Sequence, residues 1–317
     1  MIKPLSYFLY RLKYRYAREL NLNIPVDVSL ELSSACNQKC GYCYHASKET
    51  LPFQQGNMTY DTAMLIIADA STIGVNSLKF NWKGESTLNP RFKDITKFAK
   101  QHASGSTFID RITNSNFKFS PNRNDIFEGL CNQTKVKVSF DSFIPEVMEK
   151  QRAGSVHSQT MKNIDIFYHH KDRKNTELVI QAVRTNLNKN EDIEHQAKLR
   201  WPEAKVSIRD MVAGRVDKDL SELENKKRDD SERESCIQAH ARLVFNWQGD
   251  AMMCCVDLAE KINLGSIHDK SIYQIFNSEK AKRVRKKLLD KSAFDLNPCR
   301  TCSSHESYKN YKAPWGS

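Results

Sequence analysis

Three closely spaced cysteines follow the first predicted strand of this 317-residue chain. Cys36, Cys40 and Cys43 are separated by three and then two residues, and Tyr42 stands directly before the last of them. The alternating apolar residues of segment 26–32 predict a strand. The cysteines therefore lie on the loop at its carboxyl end, where α/β sheets and barrels place their chemistry. Three thiolates can hold three corners of a cubane iron–sulfur cluster and leave its fourth iron open to a small molecule.

A zinc site is the main alternative for these cysteines, because His45 could supply a fourth ligand. Zinc-binding cysteines usually come in Cys-x2-Cys pairs, however, so the spacing favours the cluster. A disulfide framework is not expected, since the start of the chain lacks the uncharged apolar core of a signal peptide. The nine cysteines indicate metal chemistry in a reducing compartment, and we expect a cytoplasmic protein.

Five further segments have the composition of strands, and helical patterns separate them. Six βα-like units predict a parallel sheet between residues 26 and 210. Their spacing alone fits either an open doubly wound sheet or a partial barrel. The further strands are predicted at residues 77–82, 108–114, 135–142, 178–183 and 205–210.

The first cysteine motif resembles that of the radical S-adenosylmethionine (radical SAM) superfamily, Cys-x3-Cys-x-aromatic-Cys. Cys36, Cys40, Tyr42 and Cys43 match it without gaps. The resemblance implies an α/β fold in which residues 26–215 form a partial (β/α)6 barrel. It also implies a [4Fe-4S] cluster that binds S-adenosylmethionine, and a 5′-deoxyadenosyl radical that takes a hydrogen atom from the substrate. An electron donor of the flavodoxin or ferredoxin type is a further implied partner.

The resemblance extends to residues that contact the cofactor. Lys83-Gly84-Glu85 stands where the superfamily has Gly-Gly-Glu, with a lysine in place of the first glycine. Gly84 and Glu85 are thus expected to serve the methionine amino group, and no catalytic residue is assigned. Further cofactor contacts are expected from Tyr42, Thr113, Asn114, Ser139, Asp141 and Arg152.

A second set of cysteines begins before a predicted β-hairpin in residues 243–253. It continues directly after the hairpin and ends after a basic helix. The arrangement resembles the twitch subdomain, the short form of the SPASM extension of radical SAM enzymes. Its spacing is most similar to that of 2-deoxy-scyllo-inosamine dehydrogenase. The resemblance implies one auxiliary [4Fe-4S] cluster in residues 236–317, with Cys254 preferred to its neighbour Cys255 by spacing. A zinc ribbon is the alternative for this set. The expected ligands are Cys236, Cys254, Cys299 and Cys302.

The remaining segments and the overall charge complete the predicted organisation. Residues 1–25 are predicted to form a basic, aromatic helix, and residues 216–235 a charged linker. The net charge of +11 favours an anionic partner, such as a nucleotide-linked substrate or DNA. No apolar run approaches the roughly 20 residues of a membrane span, so we expect no transmembrane segment.

These patterns lead to one main functional hypothesis and two alternatives. The main hypothesis is a radical SAM oxidoreductase or isomerase that carries out a two-electron oxidation or rearrangement of a sugar, cyclitol or nucleotide-type substrate. One alternative is a radical SAM isomerase that acts on a modified thymidine base during hypermodification of phage DNA. The other, from a different class, is a non-catalytic protein that binds zinc and nucleic acid.

Overall fold

A computed structural model describes this chain at residues 4–46, 54–103, 108, 110–120, 122–211, 236–290, 296 and 299. The predicted linker and Cys302 lie outside these residues. The strands are β1 Asp27–Leu30, β2 Lys39–Cys40, β3 Ser77–Phe80, β4 Asp110–Ser115, β5 Lys135–Ser139, β6 Arg152–Ala153, β7 Glu177–Arg184, β8 Lys205–Asp210, β9 Arg242–Phe245, β10 Asp250–Met252 and β11 Asn263–Ser266. The α-helices are α1 Pro4–Arg15, α2 Tyr60–Thr72, α3 Phe92–Gln101, α4 Asn124–Cys131, α5 Pro145–Gln151, α6 His157–Tyr168, α7 Ile193–Arg200, α8 Gln238–Ala241, α9 Ile272–Phe276 and α10 Glu279–Leu289.

One sheet organises the described residues, in the strand order β11-β10-β9-β1-β3-β4-β5-β7-β8. The six strands from β1 to β8 in this order are parallel neighbours, which confirms the six predicted βα-like units. Helices connect most of them, as crossovers between parallel strands require. The described strands do not close on themselves, so the sheet is an open, partial barrel.

The predicted hairpin is present as β9 and β10, which pair antiparallel. Strand β9 also pairs in parallel with β1, with Asp27 opposite Arg242. The sequence patterns did not predict this pairing. It makes the carboxyl-terminal residues an extension of the same sheet, directly beside the strand that precedes the first cysteine loop.

The two faces of the sheet differ in chemistry because side chains alternate along each strand. On one face, residues such as Val28, Leu78 and Val136 are fully buried against apolar helix residues such as Ile66 of α2. Burying one such side chain contributes about 1.5–3 kcal/mol. The opposite face, which we call the lumen face, is polar and carries Asp27, Lys79, Asp110, Lys135, Lys137, Glu177 and Arg209.

Helix α1 lies across the amino-terminal end of the lumen face. The Tyr10 hydroxyl donates to the Asp27 carboxylate at 3.0 Å. The Lys135 ammonium lies 5.9 Å from the ring centroid of Tyr7. The lumen is thus covered at the end opposite the cysteine loop. No described helix combines the length and apolar character that a membrane crossing would need.

Candidate cluster and cofactor site

The first cysteine loop leaves β1 and is attached to a distant part of the chain by a small antiparallel pair. Strand β2 pairs with β6, which places Cys40 opposite Arg152. The Gly41 amide donates to the Gln151 carbonyl at 3.0 Å in continuation of this pair. The loop therefore has a defined position at the carboxyl ends of the parallel strands, as predicted.

Two side-chain donors point at the sulfur atoms of this loop. Arg152 Nη1 lies 3.7 Å from Cys40 Sγ, and Asn116 Nδ2 lies 3.8 Å from Cys36 Sγ. Burial raises the pKa of the Cys36 thiol to about 12 and that of Cys40 to about 11. Each thiol is therefore neutral near pH 7 until a metal binds, because metal coordination deprotonates it. The donors can stabilise the resulting negative charge on sulfur.

Asp141, itself a predicted cofactor contact, organises two of the other residues predicted to contact the cofactor. Its fully buried carboxylate accepts hydrogen bonds from Tyr42 Oη at 2.7 Å, from Arg152 Nη2 at 3.0 Å and from Gln151 Nε2 at 2.8 Å. The Val183 amide donates to it at 2.8 Å. Although burial alone would lower the pKa of Arg152, the Asp141 carboxylate raises it well above its usual range. Tyr42, Asp141 and Arg152 thus form one network that positions the cysteine loop.

Gly84 and Glu85 lie against the cysteine loop. The Glu85 amide donates to the Ala35 carbonyl at 2.8 Å, and a β-carbon on Gly84 would lie 2.6 Å from the Ser34 carbonyl carbon. Glu85 is buried, and its two oxygens accept from Asn116 N at 2.9 Å and from Thr87 N at 3.1 Å. Burial raises the pKa of Glu85, and these hydrogen bonds oppose that shift. A close backbone approach and one carboxylate are thus both present, as the resemblance implies.

Lys83, which replaces the first glycine of the family motif, points away from the cysteine loop. Its buried ammonium contacts Glu31 at 3.5 Å and forms an ion pair with Glu260. It also lies 4.2 Å from the ring centroid of Trp82. Burial raises the pKa of Glu31 to about 7. Lys83 therefore joins the Gly84–Glu85 loop to the carboxyl-terminal residues, a role that sequence reasoning missed although the unusual lysine marked the position.

His45, the alternative fourth ligand for zinc, also contacts Lys83. Its Nε2 lies 3.0 Å from the Lys83 carbonyl oxygen. This nitrogen is thus engaged in a hydrogen bond with a backbone carbonyl group. Within the described ranges, no three His, Cys, Asp or Glu side chains converge as ligands of a single metal ion do. A cubane does not require such convergence, because each thiolate binds its own iron.

The other predicted cofactor residues lie on different faces of the sheet. Thr113 pairs with Phe80 and Val136, which face the helices, and its side chain is fully buried there. This placement does not support a contact between Thr113 and a cofactor in the lumen. Asn114 and Ser139 are half-buried on the lumen face.

Two cysteines of the second set, Cys236 and Cys254, lie near each other at the end of β10. Hydrogen bonding to Cys255 and burial raise the pKa of Cys254, and the nearby Cys236 raises it further. Arg242 Nη1 donates to Cys255 Sγ at 3.5 Å, on the side toward the parallel strands. Cys299 packs beside the hydrophobic core. Cys236, Cys254 and Cys255 thus lie near one another, and the choice of Cys254 over Cys255 as the ligand stays a prediction.

Comparisons with known proteins agree with this geometry. Residues 236–303 match the SPASM family model, described as an iron–sulfur cluster-binding domain. Among solved structures, BtrN in complex with AdoMet (S-adenosylmethionine) and 2-DOIA is similar over 88% of this chain and 93% of its own, with 16% identity and a TM-score of 0.59. Streptococcus suis SuiB bound to S-adenosylmethionine is similar over 91% of this chain and 73% of its own, with 13% identity and a TM-score of 0.65. Residues 236–303 thus match the SPASM domain, and the chain shares the fold of these S-adenosylmethionine-bound structures.

A third structure, anSMEcpe with bound AdoMet, shares this fold at 16% identity and a TM-score of 0.63, over 84% of this chain and 81% of its own. No curated protein matches the chain in sequence. The predicted resemblance to radical SAM enzymes with a SPASM extension is confirmed. The SPASM match supports the predicted auxiliary iron–sulfur cluster, and the solved structures with the same fold bind S-adenosylmethionine.

The SPASM domain encloses all four predicted ligands of the auxiliary cluster, although Cys302 is outside the described residues. The Trp82 indole donates to the Cys255 carbonyl at 2.8 Å, so the SPASM domain contacts the segment that carries Gly84 and Glu85. The individual ligands of both clusters stay predictions. The greater similarity to 2-deoxy-scyllo-inosamine dehydrogenase also stays a prediction.

Proposed function

We propose that this chain is a radical SAM enzyme that removes a hydrogen atom from a sugar, cyclitol or nucleotide-type substrate. S-adenosylmethionine, bound to the cluster of Cys36, Cys40 and Cys43 and cleaved on one-electron reduction, would supply the 5′-deoxyadenosyl radical. The observation that carries the proposal is the close packing of Gly84 against the cysteine loop. It brings the buried Glu85 carboxylate beside the thiols, where it can accept from a methionine amino group.

The residues around the loop have separate tasks in this proposal. Arg152 and Asn116 donate toward the sulfurs of Cys40 and Cys36 and stabilise their charge. Asp141 holds Arg152 in the required orientation. The protein thus binds and orients the cofactor, while the difficult chemistry belongs to the cofactor itself.

The auxiliary cluster would accept the second electron. A substrate radical that loses one electron to it, and a proton to solvent or a base, completes a two-electron oxidation. The proximity of the SPASM domain to the Lys83 segment supports such a transfer. BtrN was solved with 2-DOIA and SuiB with the precursor peptide SuiA, so relatives of this fold bind different substrates. A rearrangement, including isomerisation of a modified thymidine base in DNA, would use the same first step and yield no oxidised product.

Iron content and cofactor cleavage test the proposal under anaerobic conditions. The reconstituted chain should hold about eight irons and form 5′-deoxyadenosine on reduction, since two cubanes are expected. The triple variant C36A/C40A/C43A should retain about half of this iron and form no 5′-deoxyadenosine. Cys131→Ala is the matched control, because Cys131 is a buried cysteine on α4 whose sulfur contacts His170. The proposal fails if the triple variant still cleaves S-adenosylmethionine.

A further inference from the structure

Five polar side chains form a patch on the lumen face of three adjacent strands. The register pairs Ser139 with Gln181 and Gln181 with Ser207, so these side chains share a face. Lys137 lies on the same face of β5, and Arg209 lies on the same face of β8. We call this set, consisting of Lys137, Ser139, Gln181, Ser207 and Arg209, the lumen patch.

The two cations of the lumen patch differ from the other basic residues of the lumen face. Lys79 forms an ion pair with Asp27, while Lys135 and Lys205 contact the two oxygens of Glu177 at 3.2 and 2.5 Å. Lys137 and Arg209 form no hydrogen bond or ion pair with any residue in the described part of the chain. The patch therefore has an excess of positive charge.

The electrostatics of Lys137 show the effect of this excess. Burial lowers the pKa of Lys137 to about 7, and repulsion from Arg209, Lys79 and Lys135 lowers it further, whereas Asp110 raises it. Lys137 is half-buried and so remains accessible from the lumen. A confined cation without a counter-ion costs free energy, and a bound anion would remove that cost.

The depth of the patch limits the size of its ligand. Lys137 precedes Ser139, the last residue of β5, by two positions, so it lies about 7 Å below the ends of the strands. The cysteine loop lies at those ends, and α1 covers the other end of the lumen. Arg209 is exposed on the edge strand β8, whereas Lys137 lies deeper in the lumen. A ligand that contacts both must therefore be small enough to enter the lumen, which a phosphate ester can do and a DNA duplex cannot.

We propose that Lys137 and Arg209 bind the phosphate group of the substrate, which would be a phosphorylated small molecule such as a sugar phosphate or a nucleoside monophosphate. Two cations match a dianion, and the lumen-patch hydroxyl and amide groups can donate to its remaining oxygens. The inference rests on the proposed function, since it concerns the substrate of that site. It narrows the substrate class to phosphate esters held at one end by the lumen patch.

Anion binding to the reconstituted enzyme tests this proposal by calorimetry, with inorganic phosphate as the probe. Wild type should bind phosphate, and Lys137→Met and Arg209→Gln should each weaken binding at least about tenfold, as expected for a lost charge-assisted hydrogen bond. Lys137→Arg should retain binding. Lys205→Met is the matched control, because Lys205 lies on the same face of β8 but is paired with Glu177. Its affinity for phosphate should equal that of wild type.

Three results would overturn the proposal. They are no phosphate binding by wild type, an equal loss in Lys137→Met and Lys205→Met, and equal affinity for acetate, which would indicate a carboxylate site. Displacement of phosphate by a short DNA duplex would overturn the assignment to a small molecule. Formation of 5′-deoxyadenosine by the wild-type enzyme is measured separately. If wild type binds phosphate but does not cleave S-adenosylmethionine, the proposed function is refuted and the phosphate site is not.

Discussion

Substitution of Gly84 by alanine tests most directly how the cofactor site is built. The added β-carbon would lie 2.6 Å from the Ser34 carbonyl carbon, whereas ordinary contact begins at 3.4 Å. Relief of this overlap alone requires a displacement of about 0.8 Å, and the Ala35 and Ser33 carbonyl oxygens, which would lie closer still, require a larger one. The neighbouring atoms belong to the backbone, so no side-chain rotation can provide it. The displacement separates Glu85 from the cysteine loop.

A misplacement of about 1 Å in an active site can cost about 10²-fold in rate. We therefore expect Gly84→Ala to form 5′-deoxyadenosine about 10²-fold more slowly in an anaerobic assay with chemical reductant, while its iron content stays near that of wild type. Gly129→Ala is the matched control, because its β-carbon would lie 2.7 Å from the Phe92 ring, on helix α4 and outside the first cysteine loop. Overpacking there costs about 1–3 kcal/mol of stability without moving the site.

Two results would refute this reasoning. Cleavage by Gly84→Ala at the wild-type rate would show that the close approach of Gly84 to the loop does not position the cofactor. An equal loss of cleavage in Gly129→Ala would show that general destabilisation, rather than local displacement, is responsible. Thermal unfolding of both variants, measured beside the rates, separates these explanations.

Three further predictions concern other parts of the molecule. Burial raises the pKa of Glu31 from 4.5 to about 7, so the folded state loses stability as the pH rises through this interval. Glu31→Gln should therefore raise the melting temperature at pH 8 but not at pH 4.5. An equal effect at both pH values would show that ionisation of Glu31 is not responsible. The pKa shift of Glu31 corresponds to about 3 kcal/mol of stability at most. Cys254→Ala should lose about four irons and Cys255→Ala none, as measured by iron analysis, and the reverse pattern would assign the ligand to Cys255. Sulfate is a suitable probe of Lys137 because its charge does not change near pH 7. Since Lys137 loses its proton near pH 7, the affinity of the enzyme for sulfate should fall above that pH in calorimetric titrations. Lys137→Arg should abolish this fall, and an unchanged pH profile in that variant would rule out Lys137 as its origin.

The sequence alone was sufficient for features whose determinants are close together in the chain. The three cysteines of the first loop and Tyr42 lie within eight residues, so their spacing directly predicts a three-thiolate site. The six parallel strands were predicted because each has its own apolar pattern and flanking helices. The hairpin of β9 and β10 was predicted for the same reason, since its turn is local.

Features that depend on contacts between distant residues required the tertiary structure. The side-chain direction of Lys83 is set by Glu31 and Glu260, and that of Arg152 by Asp141. The face on which Thr113 lies depends on strand register, because a shift of one residue would turn it from the helices to the lumen.

The lumen patch is the clearest case of a feature that depends on contacts between distant residues. Lys137 and Arg209 are 72 residues apart in the sequence, and only the pairing of β5 with β7 and of β7 with β8 places them on one face. The sequence shows that the net charge is basic but does not show where on the fold the excess positive charge lies. The sheet gives that charge a place, because parallel pairing aligns side chains that no local pattern can relate.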